Sequence, residues 1–221
     1  MTLTTQKAKI KEINSQIELM ANLVEKQLYK CMVGLKNHDE KIGEEIIKDD
    51  DKVDELQKKI EEECIKFIAT EQPLAKDLRH VFIAIKIVTD LERMADYAVD
   101  ISKISKSITL NNFGEFREGS LPLWTMEEKV REMISLSIKA YIEIDDLKAY
   151  EICEMDDEID TLYRSIFADI IKNAKTNTVD ISSEARLLFV AKYLERVADH
   201  VTNICEWVIY CKKGEYVDLN E

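Results

Sequence analysis

The sequence predicts an all-α protein made of two tandem three-helix bundles. Apolar residues recur at spacings of three and four along almost the whole chain, and no alternating pattern of a β-strand stands out. Only 5 glycines and 2 prolines interrupt the 221 residues, while charged residues make up 34% and hydrophobic residues 46%. This composition is typical of long amphipathic helices with a true hydrophobic core. A third observation is an internal repeat, which divides the helices into two similar sets.

Six helices account for the periodic segments. Their predicted ranges are 5–36, 40–70, 73–108, 123–144, 147–175 and 181–212. Four apolar residues recur every seven positions in the second helix, namely Ile46, Val53, Ile60 and Phe67, as in the seam of a helix bundle. Pro73 and Pro122 lie where helices begin, a position at which the missing N–H of proline has no intrahelical partner to lose.

The repeat is visible in two nearly identical hexapeptides, "LERMAD" at 91–96 and "LERVAD" at 194–199. A shift of 103 (195 − 92) superimposes the third helix on the sixth, and a shift of 106 (160 − 54) superimposes the second on the fifth. The segment "TLNNFGEFREGS" at 109–120 holds two of the five glycines. We therefore expect a first bundle over 1–108, a linker over 109–121 and a second bundle over 122–221.

The charge balance and the cysteines narrow the functional classes. A formal net charge of −13 disfavours direct binding of nucleic acid or anionic lipid. No apolar run approaches the roughly 20 residues that span a bilayer, so membrane insertion is not expected. No signal peptide is evident, and we therefore expect a cytoplasmic location. The five cysteines include no CxxC pair, which favours reduced thiols over zinc ligands or disulfides.

Acidic residues recur in the same register in both halves, as pairs four residues apart that share one helix face. The pairs are Asp50/Asp54, Glu92/Asp96, Asp156/Asp160 and Glu195/Asp199, with Asp100 and Asn203 one turn further along. Two such pairs on neighbouring helices would repel strongly, and a divalent or trivalent cation would relieve that repulsion. Hard oxygen ligands suit magnesium, calcium, manganese or iron, and four carboxylates could bridge more than one ion.

A simpler interpretation of the same residues stays open at this point. Arg93 can pair with Asp96 or Asp90, and Arg196 can pair with Asp199, so the motifs could be ordinary charged helix surface. The "DDKVD" segment at 50–54 is equally compatible with a solvated face.

Three longer segments resemble a known family. "QPLAKDLR" at 72–79 followed by "DLERMADYAVDI" at 90–101 is similar to the first half of the PhoU family, and "YLERVADHVTNICEWVIY" at 193–210 is similar to its second half. The resemblance covers nearly the whole chain. It implies two tandem three-helix bundles with multinuclear metal sites on the bundle surface. The metal ligands that it implies are Asp50, Asp54, Glu92, Asp96, Asp156, Asp160, Glu195 and Asp199.

The second half matches the family pattern more fully than the first. The family often has His after the motif aspartate and Asn three residues later, and His200 and Asn203 keep both. The first half has Tyr97 and Asp100 at these positions. His200, Asn203 and Asp100 are therefore candidate additional ligands or supports of ligands. The resemblance leaves iron, zinc, manganese and magnesium open as the metal.

The resemblance also implies a function. Members of the family damp the phosphate-starvation response by acting between the phosphate ABC transporter and a sensor histidine kinase. The transporter ATPase, the kinase and a second copy of the chain, in a homodimer, are the expected partners, and no enzyme activity is expected. One alternative is a ferritin-like di-metal oxidase, which needs Glu-x-x-His on paired helices; His38, His80 and His200 all lack a glutamate three residues earlier. The other is a metal-free helical adapter.

Overall fold

A computed structural model describes residues 3–107, 121–176 and 181–219, and this part of the chain is helical with no strand. Its helices are α1 (Leu3–Asn37), α2 (Glu40–Glu71), α3 (Ala75–Ser107), α4 (Leu121–Glu143), α5 (Asp146–Glu154), α6 (Asp156–Thr176) and α7 (Ile181–Lys213). The predicted all-α class is confirmed, and the predicted helix ends lie within two residues of the ends observed. The predicted linker at 109–121 lies outside the described residues except for Leu121. No described helix has the length and apolar character needed to cross a membrane.

The fifth predicted helix differs from the prediction, because it is divided into α5 and α6 at Met155. The backbone N–H of Met155 donates to the carbonyl of Ile152 (N···O 3.0 Å), and that of Glu158 donates to the carbonyl of Met155 (3.2 Å). Such bonds between residues three apart tighten the turn and end the regular α-helical ladder. A new helix then begins at Asp156, with acids in its first turn, where the helix dipole favours negative charge.

The repeat extends to the backbone of the two inter-helix turns. His38 and Ile144, which the shift of 106 superimposes, have left-handed φ angles of 54° and 53°. The next residue in each half, Asp39 or Asp145, caps the following helix by accepting a hydrogen bond from a backbone N–H. Two halves that share such an uncommon backbone conformation at the same position share more than a hydrophobic pattern.

The core consists of the apolar seams that the sequence predicted. Ile46, Val53 and Ile60 are fully buried, as are their partners in the repeat, Ile152 and Ile159. In the first bundle α1, α2 and α3 pack against one another, and in the second α4, α5, α6 and α7 do so. At about 0.8 kcal/mol per buried CH₂, these seams are the main source of the stability of both bundles.

The two bundles are joined along α3 and α7, which pack side by side and antiparallel. The direction follows from the contacts, since residue numbers rise along α3 as they fall along α7. From one end to the other, the cross-helix pairs are His80 with Cys211, Lys86 with Trp207, Asp90 with His200, and Tyr97 with Tyr193. The helices that carry the two hexapeptides therefore lie next to each other.

Candidate metal centre

The structure brings the four predicted acids of the first bundle close together where α2 packs on α3, and Asp50 and Asp96 line one groove there. Leu91 and Ala95 are fully buried in the core, and the helical rotation from these residues leaves Glu92 and Asp96 at its edge, half-buried. On α2, Asp50 and Asp54 flank the buried Val53 in the same way. The apolar seam therefore fixes where the carboxylates lie, and the packing of α2 on α3 sets the two pairs opposite each other.

These carboxylates lie close enough to raise the pKa of two of their number. Burial, followed by the negative charges of Asp54 and Asp96, raises the pKa of Asp50 from 3.8 to about 6. The pKa of Glu92 is also raised, first by burial and then by Asp96, and Arg93 opposes the shift. Like charges held close in a partly dry groove favour the protonated form of each carboxyl group. A positive charge added to the groove would therefore stabilise the ionised carboxylates.

The second bundle repeats the arrangement between α6 and α7. Burial and then the charges of Asp199, Asp160 and Glu195 raise the pKa of Asp156 to about 6. The pKa of Asp199 is raised by burial and by Glu195. Each half therefore brings together four carboxylates that repel one another.

Nearby cations on the same helices hold several of these carboxylates. Arg93 Nη1 lies 2.9 Å from Asp96 Oδ2, and Arg196 Nη1 lies 3.0 Å from Asp199 Oδ2, so the simple pairing considered from the sequence does occur. Three further ion pairs have the same character: Lys103 with Asp100 (2.8 Å), Arg164 with Asp160 (2.6 Å) and Lys192 with Glu195 (2.6 Å). Arg93 does not pair with Asp90, which was the other option.

The carboxylates are close, but they do not form a ready-made coordination sphere. Within the described residues, no three side chains of His, Cys, Asp and Glu converge in a way that could hold a metal ion. The intrahelical ion pairs explain this, because they turn Asp96, Asp160 and Asp199 toward guanidinium groups. Glu195 is held in the same way, because its buried Oε2 lies 2.6 Å from Lys192 Nζ.

His200 and Asn203, the candidate supports, line a pocket between α3 and α7 together with Tyr97, Arg196 and Asp199, and Asp199 is the one acid that this pocket shares with the second groove. Both side chains reach across to the first bundle. His200 Nδ1 lies 2.8 Å from Asp90 Oδ1, and Asn203 Nδ2 lies 3.4 Å from the same oxygen.

Asp100, the third candidate, lines the first groove with Asp50 and Asp96. Tyr97 lines both this pocket and the one beside His200, so the two pockets lie next to each other. Sequence reasoning missed the roles of Asp90 and Tyr97 here. The sequence contained part of the information needed to find these roles, because the repeat shift of 103 superimposes Asp90 on Tyr193 and Tyr97 on His200.

Fold and grooves together define a duplicated helical protein with one acidic groove in each repeat unit. The PhoU domain matches the chain twice, over residues 17–105 and 123–208, and the chain belongs to the PhoU family. It is 42% identical over 222 residues to the phosphate-specific transport system accessory protein PhoU homolog of Clostridium acetobutylicum, with 100% of both chains covered. It is 30% identical to the homolog of the same name from Pseudomonas putida, with 94% of this chain and 80% of the relative covered.

Two solved structures share the fold. The phosphate transport system regulatory protein PhoU from Streptococcus pneumoniae is similar with a TM-score of 0.88 at 28% identity, covering 96% of this chain and 99% of that one. PhoU from Pseudomonas aeruginosa is similar with a TM-score of 0.81 at 26% identity, covering 95% and 99%. The tandem-bundle architecture predicted from the sequence is therefore confirmed by comparison as well as by the structure.

The raised pKa values of Asp50 and Asp156 predict how pH affects stability without metal. Between the ordinary pKa of 3.8 and the folded-state pKa of about 6, the folded protein binds more protons than the unfolded chain. The contribution of these two groups to the free energy of unfolding therefore falls as pH rises through this window. In the double variant Asp50→Asn/Asp156→Asn this contribution should vanish. With chelator present at pH 7.5, the double variant should therefore have a higher melting temperature than the wild type.

The matched control changes the exposed neighbours, as Asp51→Asn/Asp157→Asn, which removes the same formal charge outside the grooves. Thermal melts in chelator at closely spaced pH values measure the effect. An identical pH profile for both double variants would show that the grooves do not hold the carboxylates in a strained, partly dry state.

Proposed function

We propose that this chain is a cytoplasmic, metal-binding regulatory accessory protein of phosphate uptake. In this proposal it restrains the phosphate-starvation response by acting between a phosphate ABC transporter and a sensor histidine kinase. Membership of the PhoU family across both halves of the chain carries the proposal. The relatives are named accessory proteins of the phosphate-specific transport system, and a solved structure of the same fold is named a regulatory protein.

The grooves support the metal-binding part of the proposal. Both hold four carboxylates in the same register, and burial together with mutual repulsion raises the pKa of Asp50 and Asp156 to about 6. The donor set is rich in hard oxygen atoms, which suits magnesium, manganese or iron, and His200 would extend it to zinc. Rotation of Asp96 and Asp199 away from Arg93 and Arg196 would turn their oxygens toward the groove. A bound cation would supply the positive charge that relieves the repulsion, and a multinuclear site would relieve more of it.

A surface at the start of α3 supports docking on another protein. Leu74, Leu78 and Phe82 lie four residues apart on one face and remain 80%, 39% and 40% exposed. Phe82 is continuous with aromatic residues of the other bundle, since Lys86 Nζ lies 5.7 Å from the ring centroids of both Phe82 and Trp207. Exposed apolar patches that include large aromatic residues are typical of protein–protein interfaces. We propose that this α3 patch, defined as Leu74, Leu78 and Phe82, contacts a partner protein, and the transporter ATPase is the partner that the experiment below tests.

The role proposed is binding and regulation, not catalysis. The ferritin-like alternative requires Glu-x-x-His motifs inside a bundle, whereas the grooves of this chain lie at the bundle surface and their one histidine follows an aspartate. The metal-free adapter remains the competitor for the metal-binding part alone, and metal analysis decides between the two. A homodimer is part of the proposal, with its interface unassigned.

The first test counts metal ions. Glu92→Gln/Asp96→Asn should abolish binding in the first groove, and Glu195→Gln/Asp199→Asn should abolish it in the second, because each pair supplies half the carboxylates of its groove. Elemental analysis and isothermal titration with MnCl₂ should show each double variant retaining about half the metal of the wild type. Loss of all metal from one double variant would mean that the grooves are not independent. Binding of no metal by the wild type would favour the metal-free adapter.

The second test concerns regulation. A strain that lacks this chain should express its phosphate-uptake genes even in phosphate-rich medium, and the wild-type chain should restore repression. Leu78→Ser/Phe82→Ser should restore it poorly, because the α3 patch would no longer bind the ATPase. The matched control, Phe167→Ser/Ile171→Ser, changes an exposed apolar pair on α6 with 46% and 43% exposure and should restore repression fully.

Binding of the purified ATPase to both double variants separates loss of docking from loss of fold. Normal repression in the deletion strain would contradict the regulatory role. Full repression by the α3 double variant would contradict only the assignment of the docking surface.

A further inference from the structure

Two cysteines of the second bundle meet across the contact between α5 and α7. These two helices pack against each other, and the thiol groups of Cys153 on α5 and Cys205 on α7 are hydrogen-bond partners. All five cysteines of the chain are free thiols. The pair is therefore reduced, with its two sulfur atoms already in contact.

The register of α5 on α7 explains this contact. At the start of α5, Asp146 Oδ2 lies 3.6 Å from Lys213 Nζ, and the hydroxyl oxygen of Tyr150 lies 3.3 Å from the same nitrogen. Cys153 lies seven residues beyond Asp146 on α5. Cys205 lies eight residues before Lys213 on α7. At 1.5 Å per residue these steps are about 10 Å and 12 Å along antiparallel axes, so the contacts of Lys213 at one end set the two thiols opposite each other at the other.

The two thiols differ in their access to solvent. Cys205 is fully buried, whereas Cys153 is partly exposed and packs at the edge of the core. The hydrogen bond with Cys153, followed by burial, raises the pKa of the Cys205 thiol, so Cys205 keeps its proton. Oxidation of a thiol depends on its exposure and on its thiolate form. Cys153 is therefore the thiol that a small oxidant in solution reaches first.

The other three cysteines, all within the described residues, have different surroundings. The thiol of Cys31 donates to the carbonyl oxygen of Leu28 in its own helix (3.0 Å). Cys211 Sγ lies 4.0 Å from Nδ1 of the buried His80. Cys64 is fully buried on α2. These thiols serve as internal controls for the pair.

The first bundle has different residues at the two equivalent positions. The repeat shift of 106 superimposes Cys153 on Ile47. The shift of 103 superimposes Cys205 on Ser102, which is buried and donates to the carbonyl oxygen of Ala98 at 2.9 Å. Because a serine fills the buried position in one half, the fold does not depend on a thiol there. The thiol pair is thus a feature of the second bundle alone.

We propose that Cys153 and Cys205 are a redox modification site, at which a hydroperoxide forms a reversible disulfide that links α5 to α7. Disulfides of this transient kind are the ones found in reducing compartments. The inference goes beyond the proposed function and does not depend on the acids of the grooves.

The reaction has two steps. The thiolate sulfur of Cys153 attacks one oxygen of hydrogen peroxide, the O–O bond breaks, and Cys153 becomes a sulfenic acid while hydroxide leaves and takes up the proton of the Cys153 thiol. The sulfur of Cys205 then attacks the sulfur of Cys153, the S–O bond breaks, and the hydroxyl group leaves as water with the proton of the Cys205 thiol. Two thiols are oxidised to a disulfide and the peroxide is reduced to water. A dithiol reverses the change by thiol–disulfide exchange.

The link would hold α5 more firmly on α7. Cys153 lies two residues before the interruption at Met155, so the disulfide would tie down the last turn of α5. It would also close a loop of 52 residues (205 − 153) and so lower the entropy of the unfolded chain. The oxidised protein should therefore melt roughly 5–15 °C above the reduced protein, and the amides of α5 should exchange hydrogen more slowly.

The experiment treats the purified chain with a small excess of hydrogen peroxide, alkylates the remaining thiols and maps the peptides without reductant. Cleavage after Glu206 separates Cys205 from Cys211, so the map distinguishes a link to either cysteine. The expected product joins Cys153 to Cys205 and disappears when dithiothreitol is added.

Serine variants provide the matched comparison. Cys153→Ser and Cys205→Ser should each abolish the link and the rise in melting temperature. Cys211→Ser changes another buried cysteine of α7 and should retain both.

Three results would overturn the proposal. In the first, Cys153 is oxidised to a sulfinic acid while Cys205 stays free, which would show that Cys205 does not capture the sulfenic acid. In the second, the disulfides join other cysteines or separate chains in place of this pair. In the third, all five thiols stay free after peroxide treatment. The peptide map of the wild type decides among these results without the variants, so a serine variant that fails to fold does not affect the test.

Discussion

The antiparallel packing of α3 on α7 is the constraint on which the rest of the structure depends. Each of these helices is the central element of its own bundle, and each carries one acidic hexapeptide. Their contact brings Asp90 to His200 and sets the pockets that hold Asp96 and Asp199 next to each other, with Tyr97 in the lining of both. Without this contact the chain would be two similar units with separate surfaces. With it, the surface that carries the acids is shared by both halves.

The acids lie next to the apolar seams without interrupting them. Leu91 and Ala95, and their equivalents Leu194 and Ala198, are fully buried, whereas the acid that follows each residue lies at the edge of the core. A residue one position further along a helix is turned by about 100°, so a seam that is wide enough to bury the first residue leaves the second at its margin. Apolar burial therefore supplies the stability, and the acids oppose it slightly through the repulsion that raises the pKa of Asp50 and Asp156.

Much of this could be predicted from the sequence, because the determinants are local or repeated. Hydrophobic periodicity and the few helix breakers gave six helical segments, and the repeat placed Asp50, Glu92 and their equivalents in matching registers. The interruption at Met155 could not be predicted in this way, since it replaces two regular hydrogen bonds by shorter-range ones within an otherwise continuous apolar pattern. The contact between His200 and Asp90 could not be predicted from the sequence either. Asp90 is 110 residues away, and only the two-fold packing of α3 on α7 brings them together.

The central claim is that the acids are a binding surface added to a fold that is stable without them. Thermal melts of Glu92→Gln/Asp96→Asn/Glu195→Gln/Asp199→Asn and of wild type, each with chelator and with MnCl₂, test it most directly. In chelator the quadruple variant should keep full helicity and melt no lower than wild type, within the loss of the Arg93 and Arg196 ion pairs, each worth less than about 1 kcal/mol at an exposed site. Added metal should raise the melting temperature of wild type alone, since that rise is binding linkage. An unfolded wild type in chelator, or a collapsed quadruple variant, would show that the acids hold the fold together and would contradict the account.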